Sequence, residues 1–378
     1  MRRYCILPFI LILFVFTGCS EKHGDDISSL KKTGSMELKY ATQFSVDYLE
    51  NDISLVSIAD GNKYLIIPEN GTVPEDAGSD ITVIYRSPEH VYLAASSAMD
   101  LFSELGLTDC VEFTSTKSSD WSLPEIRELV ENDDIAYVGK YSAPDYEYLL
   151  EENCSIALES TMIYHTPEVM EKLEALGIPV MIERSSYESH PLGRMEWIKL
   201  YALMFGKEAE AERFFSEKCA VIENIQKDMN PENQKTVAFF SISSNGYINV
   251  RKPNDYISEM IRLAGGEYIF TAEDLKTDEN ALSTMNMQTE TFYEKARNAD
   301  VLIYNGTIDG GMESISQLTE KESVLSDLKA VKNGNVWCTE KNVFQKTTGS
   351  AEMISDINEV INDTEKDRLS FLFRLKQE

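Results

Sequence analysis

The sequence predicts an α/β fold, two Rossmann-like lobes joined by a single long backbone helix. Three observations carry this. Segments of strand character alternate with segments of helical apolar period on both sides of the midpoint, which is the pattern of a largely parallel sheet covered by helices on both faces. Between them, from Arg194 to Asn230, apolar positions recur at helical spacing. A helix of ~35 residues is ~50 Å long, more than one small domain can cover. After residue 38 about 340 residues remain, the length of roughly two domains.

The chain opens with Arg2 and Arg3, then an apolar run from Ile6 to Phe16, then Thr17, Gly18 and Cys19. The run is too short to span a bilayer and has signal-peptide proportions. "FTGC" resembles a bacterial lipoprotein signal, in which cleavage leaves a lipidated cysteine. Phe16 departs from the Leu, Val or Ile usual at that position. The expectation is a signal peptide over 1–18, lipidation at Cys19 and a flexible tether over 19–38. The mature protein would then be held at the cell membrane, facing outside the cytoplasm.

The first lobe is expected over 39–193. "KYATQFSVDYL", "ISLVSIA" and "KYLIIP" read as short strands. "DITVIYRSP" reads as strand and loop, and "HVYLAASSAMDLFSELGL" as a helix with three- and four-residue apolar spacing. A short strand near "CVEFTS" follows, then a helix from Leu123 to Glu131 with Pro124 in its first turn. "IAYVGKYSAPDYEYLL" is strand, loop, helix. In "CSIALESTMIYHTPEVMEKLEALGIPVMIE", Thr166 is placed as N-cap, Pro167 at the first helical position and Gly177 as the stop.

The connector is expected over 194–230, with Trp197, Leu200, Tyr201, Met204, Ala211, Phe215, Cys219 and Ile222 on its apolar face. The second lobe, 231–378, resumes the alternation. "KTVAFFSI" and "YINVRKP" are strands, and "DYISEMIRLAGG" is a helix closed by Gly265 and Gly266. "ETFYEKARNADVLIYNGT" is helix then strand, and "LSDLKAVKNGNVWCTEK" is helix, turn, strand. The tail from Ala351 to Lys376 has the spacing of a final helix.

Charge excludes one class of partner. The net charge is −29, and loss of Arg2 and Arg3 with the signal takes it to −31. Such a surface repels nucleic acid. Cys110, Cys154, Cys219 and Cys338 are far apart with no CxxC, so no zinc or redox motif is present and any disulfide pairing is unassigned. No P-loop, HExxH, GxSxG, EF-hand loop or GxGxxG occurs. A tethered hydrolase using two carboxylates is the alternative from a different class, but no local pattern marks an acid or base. A structural surface lipoprotein is a third reading, ill-suited to two lobes on a rigid connector.

The stretches "GKYSAPDYE", "STMIYHTPEV", "LGIPVMIERSSYESHPLGRMEWIKLY", "VRKPNDYISEMIRLAGGEYIF" and "ADVLIYNGT" resemble the substrate-binding proteins of bacterial ABC importers, in the class joined by one rigid inter-lobe helix. The resemblance covers nearly all of the mature chain. It implies a monomeric binding protein, not an enzyme, with no cofactor of its own. Its cargo would be a metal chelate carrying Fe or Co: an iron–siderophore first, cobalamin or haem second. Its partners would be an ABC permease with its ATPase, reached from a membrane through the lipid anchor. The family docks through one acid on each lobe. These fall at Glu168 and Asp255, with Glu188 and Asn254 as near neighbours in register. An acid in a helix's first turn also offsets the dipole and caps free N–H groups, so each has a structural reading too.

Ligands bind beyond the carboxyl ends of strands in such sheets. The residues that follow the strands are therefore the candidates: Arg86, Tyr141, Tyr146, Thr161, Met162, His165, Arg184 and Tyr187 in the first lobe, Tyr247 and Arg251 in the second. Aromatic faces and arginine forks suit an anionic, partly aromatic chelate. Arg86 either lines the cleft or pairs with a surface carboxylate. Arg251 faces the same choice, and the resemblance favours the cleft. Tyr141 and Tyr146 either contact ligand or pack beneath a loop. Trp121 is either a cleft aromatic or a loop anchor. Met162 and His165 could bind a haem iron axially or be ordinary loop residues.

Overall fold

The computed structural model describes residues 30–227, 229, 234–275, 283–364 and 368–378. The expected signal peptide, Cys19 and residues 19–29 of the tether lie outside them.

Residues 32–85 form a sheet of their own. Its strands are Lys32–Ser35, Phe44–Leu49, Ser54–Ile58, Lys63–Ile67 and Ile81–Tyr85, side by side in chain order. The first four pair antiparallel and the last pairs parallel to the fourth. Alternation of side chains splits its apolar residues. Phe44, Val46, Val56, Ile58, Tyr64 and Ile66 join the main core, while Leu49, Leu55, Leu65 and Ile67 form a cluster on the other face.

The first-lobe sheet is all parallel, in the order Val180–Glu183, Ile156–Ser160, Val91–Leu93, Val111–Thr114, Ala136–Tyr137. Two expectations are corrected here. "DITVIYRSP" supplies the last strand of the N-terminal sheet, not the first strand of the lobe. "HVYLAASS" begins with the lobe's central strand, and the helix starts only at Ser96. Val91, Tyr92 and Leu93 are buried completely. A short, continuously apolar run suits a central parallel strand as well as a helix, and periodicity cannot separate the two.

The connector is three helices: Pro191–Glu196, Ile198–Phe205 and Glu208–Lys227. Gly206 ends the second at φ 67°, ψ 37°, the left-handed conformation that glycine adopts without steric cost. The expected single helix over 194–230 is thus broken at Gly206, and its longest described piece is the 20 residues of Glu208–Lys227, a span of ~30 Å. Ile198–Phe205 is buried almost all round instead.

The second-lobe sheet is mixed. Thr236–Ile242, Val301–Tyr304 and Val336–Thr339 run parallel at its centre, with Glu267–Tyr268 parallel to the first. Ile248–Arg251, Thr284–Met287 and Leu372–Arg374 pair antiparallel outside them. The tail is therefore the helix Ser350–Ile361 followed by an edge strand, not one helix. Phe371 and Leu372 are buried, and Phe371 N–H donates to the Asp356 carboxylate at 2.6 Å, turning the chain back onto the sheet.

One apolar cluster runs through both lobes, including Leu93 and Leu158 of the first, Trp197, Tyr201 and Phe215 of the connector, and Ile257, Ile303 and Ile354 of the second. A large apolar interface of this kind restrains relative lobe motion. Two buried carboxylates fasten the start of the chain to the connector. Glu196 accepts the backbone N–H groups of Lys39, Tyr40 and Ala41 at 2.8–3.1 Å. Glu188 accepts those of Thr42 and Gln43 and the Trp197 indole N–H at 2.9–3.1 Å. Gly193 admits this approach, because a Cβ there would stand 2.9 Å from the Tyr40 carbonyl oxygen.

Candidate functional site

The carboxyl ends of the first-lobe strands carry most of the expected residues. Ile156–Ser160 runs into a short 3-10 turn, Thr161–His165, in which Ile163 is buried while Met162, Tyr164 and His165 are exposed. Val180–Glu183 runs into Arg184 and the turn Ser185–Tyr187. These two ends meet. Thr161 Oγ1 lies 3.4 Å from Ser186 Oγ, Arg184 donates to Tyr164 OH at 2.6 Å, and its guanidinium stacks 4.4 Å from the Tyr187 ring. Tyr164 OH in turn donates to Asp60 of the N-terminal sheet at 2.7 Å. Burial and then that bond to Asp60 push the Tyr164 phenol up to about 12. Tyr141 and Tyr146 pack against the apolar cluster beneath this rim, with Lys172 Nζ 3.7 Å over the Tyr146 ring. Thr166 stands at the N-cap of Pro167–Ala175, yet its hydroxyl makes no capping bond and is buried without a partner.

Below the rim, Glu159 is fully buried with no hydrogen-bond partner on either carboxylate oxygen. Burial pushes it up to about 8. The Tyr92 hydroxyl, buried on the neighbouring strand, is also unpartnered.

The second lobe closes on the first through residues 345–348. Gln345 accepts from Ser122 N–H at 2.6 Å and donates to the Asp120 carbonyl at 2.9 Å. The buried Asp100 carboxylate accepts Thr348 N–H at 2.7 Å, and Thr347 donates to the Ser97 carbonyl at 2.9 Å. Beside this seam lies a cavity of about 900 Å³. Ser122 and Arg127 of the first lobe bound it, and Gly306, Gly311, Thr339, Lys341, Asn342 and Arg368 bound it from the second. It opens at the carboxyl ends of Val301–Tyr304 and Val336–Thr339. Gly306 is required there, since a Cβ would meet Cys338 Sγ at 2.7 Å. Asn342 Oδ1 is buried without a partner, a free acceptor at the cavity. None of the expected ligand residues lines this cavity. The available signal was the glycine-rich "NGTIDGG" directly after a buried strand, which marks a close backbone approach.

Several expected residues lie elsewhere. Arg86 directly follows the last strand of the N-terminal sheet and pairs with Asp52 at 2.7 Å, so it is not at the lobe's rim. Trp121 is buried and donates to the Thr116 carbonyl at 3.2 Å, the anchor of its own loop. Tyr247 is exposed in the turn between Thr236–Ile242 and Ile248–Arg251. Arg251 is buried, bonded to Ser283 Oγ at 3.0 Å, paired with Asp255 at 3.5 Å and stacked on Phe344 at 4.8 Å. Burial opposes its charge, but Tyr256 and Asp255 hold it charged. Arg194 of the connector stacks on the other partner, Tyr256, at 4.0 Å.

The two docking acids part company. Glu168 is exposed in the first turn of Pro167–Ala175. Asp255 is buried, with 3% of its side chain exposed, and caps Tyr256–Leu263 by accepting Ile257 N–H at 2.9 Å. A carboxylate so enclosed cannot meet a partner's arginine, so the docking role expected of Asp255 is withdrawn. Of the near neighbours, Glu188 is buried and Asn254 is exposed. Among the described residues no helix is long and apolar enough to cross a membrane. Nor does any group of three or more His, Cys, Asp or Glu among them suit a metal ion.

Residues 91–343 match the family described as "Periplasmic binding protein". An uncharacterized lipoprotein of Methanocaldococcus jannaschii is 26% identical over 371 residues, covering 89% of this chain and 86% of that protein. Among solved structures, a periplasmic heme-binding protein from Pseudomonas aeruginosa superposes with TM-score 0.58 at 14% identity, over 77% of this chain and 99% of that one. The petrobactin-binding protein of Bacillus subtilis gives 0.57 at 18%, over 75% and 94%. At these identities the likeness shows the fold.

Proposed function

The chain belongs to the periplasmic binding protein family, and from that premise we propose that it captures an iron–siderophore-type chelate between its lobes and delivers it to an ABC permease. Proteins of this family are substrate-binding components that work with ABC permeases, not enzymes, which sets the hydrolase aside. The observation that supports the cargo site is the cavity of about 900 Å³ bounded by both lobes, at the carboxyl ends of Val301–Tyr304 and Val336–Thr339 on the second-lobe side. That volume is of the size that holds a compact organic ligand. Arg127, Lys341 and Arg368 outnumber Glu313 and Glu340 in its lining, a cationic excess of one for an anionic chelate in a chain of net charge −29. Solved proteins of this shape are named for petrobactin and for heme, which supports a chelate over a sugar or peptide. Cobalamin and haem are the alternative cargoes. The lipid anchor at Cys19 would hold the monomer beside the permease, with exposed Glu168 as a docking acid.

Titration calorimetry with ferric siderophores, haemin and cyanocobalamin tests the reading. Saturable submicromolar binding of one class supports it and names the cargo. No binding by any of the three contradicts the cargo class.

A further inference from the structure

The wall of the cavity at the seam discriminates between classes of chelate. Among the described residues that line it, Phe373 is the one aromatic side chain, and Met312 and Leu369 are the other large apolar ones. A haem or a tris(catecholate) complex presents flat rings, which bind on aromatic faces. Of the side chains that hold haem iron, His, Tyr and Cys are missing from this lining, and Met312 is buried in the second-lobe core. A haem iron finds no exposed axial partner here.

The charges narrow the class further. Arg127 is fixed from the first lobe. Its Nε donates to the Trp121 carbonyl at 2.9 Å and its Nη2 donates to the same oxygen, while Trp121 is the buried anchor of that loop. A guanidinium has five donors, so three remain. Lys341 and Arg368 bound the cavity from the second lobe. Among the described residues none of these three cations has a carboxylate partner, although the chain holds 64 Asp and Glu against 35 Lys and Arg. Of the two acids in the lining, Glu313 is paired with Lys376 at 3.6 Å. Three uncommitted cations thus stand against one uncommitted carboxylate, Glu340.

We propose that the cargo is a ferric hydroxycarboxylate chelate, a polyanion of citrate type. Arg127 is its specificity-determining residue, taking a carboxylate from the first lobe while Lys341 and Arg368 take others from the second. This rests on the proposed binding function and narrows its cargo. Guanidinium forks match the two oxygens of a carboxylate, and such groups need no aromatic face.

Calorimetry on the full-length protein compares ferric citrate at excess citrate, an iron tris(catecholate), the cationic iron complex of desferrioxamine B, and haemin. Wild type is expected to bind ferric citrate at least tenfold more tightly than the other three. Arg127→Gln and Arg368→Gln should each weaken ferric citrate about tenfold, the loss of one charge-assisted hydrogen bond. Arg368 is exposed, so its replacement keeps the fold even where Arg127→Gln loosens its loop. Glu340→Gln should tighten ferric citrate, because it removes the one unpaired acid from the lining. A wild type that prefers another probe, unchanged affinity in Arg368→Gln, or weaker binding in Glu340→Gln overturns the proposal and leaves the transport reading intact. No binding of any of the four, nor of cyanocobalamin, overturns both.

Discussion

Glu159 and Asp255 are both buried acids, and their surroundings set them apart. Asp255 has Arg251 and a helix N-terminus to offset its burial. Glu159 has no hydrogen-bond partner, and burial raises it from 4.5 to about 8. The folded chain therefore holds this proton more tightly than the unfolded chain. The associated stability is complete below about 4.5 and is lost as pH rises through about 8. Glu159→Gln should leave the unfolding free energy nearly unchanged at pH 5 and raise it at pH 8, by an amount on the order of 1–3 kcal/mol. Equal shifts at both pH values would contradict this. Asp255→Ala removes a cap and strands a buried arginine, at a cost of about 2–4 kcal/mol. Glu168→Ala, on the surface, should stay within ~0.5 kcal/mol of wild type in a denaturant titration and lower transport alone.

Among the elements, the stretch Pro191–Glu196 binds the chain's beginning to its middle. Glu196→Ala would leave the partly buried N–H groups of Lys39, Tyr40 and Ala41 without their acceptor. The expected loss is on the order of 3 kcal/mol, with faster proteolytic cleavage near residues 39–43. Cleavage at the wild-type rate would contradict the fastening role. The sequence made the strand–helix alternation legible, because buried strands such as "SIALE" and punctuation such as Pro167 and Gly177 act locally. It did not reveal the fastening. Glu188 and Glu196 read as two more acids among many, and their partners lie about 150 residues away in the chain. Gly206 was visible, but one glycine in an apolar helical pattern does not announce a left-handed break. The final strand was hidden for a similar reason: "FLF" fits helical spacing until Asp356 captures its first backbone N–H.

At the scale of the whole molecule, two lobes share one apolar core and enclose a cavity at their seam. The lobes were legible from composition and alternation. The cavity was only partly so, because its walls are glycines, an asparagine and the arginines 127 and 368, brought together by chain reversals that no local pattern encodes. The continuous core also means that cargo should be held with little rotation of one lobe against the other. The central claim is that cargo sits between the lobes, in contact with both. Hydrogen–deuterium exchange with and without the bound chelate tests it most directly. The account predicts added protection at 122–127 in the first lobe together with 306–313 and 339–342 in the second. Protection confined to one lobe, or absent from all three segments under saturating chelate, would contradict it.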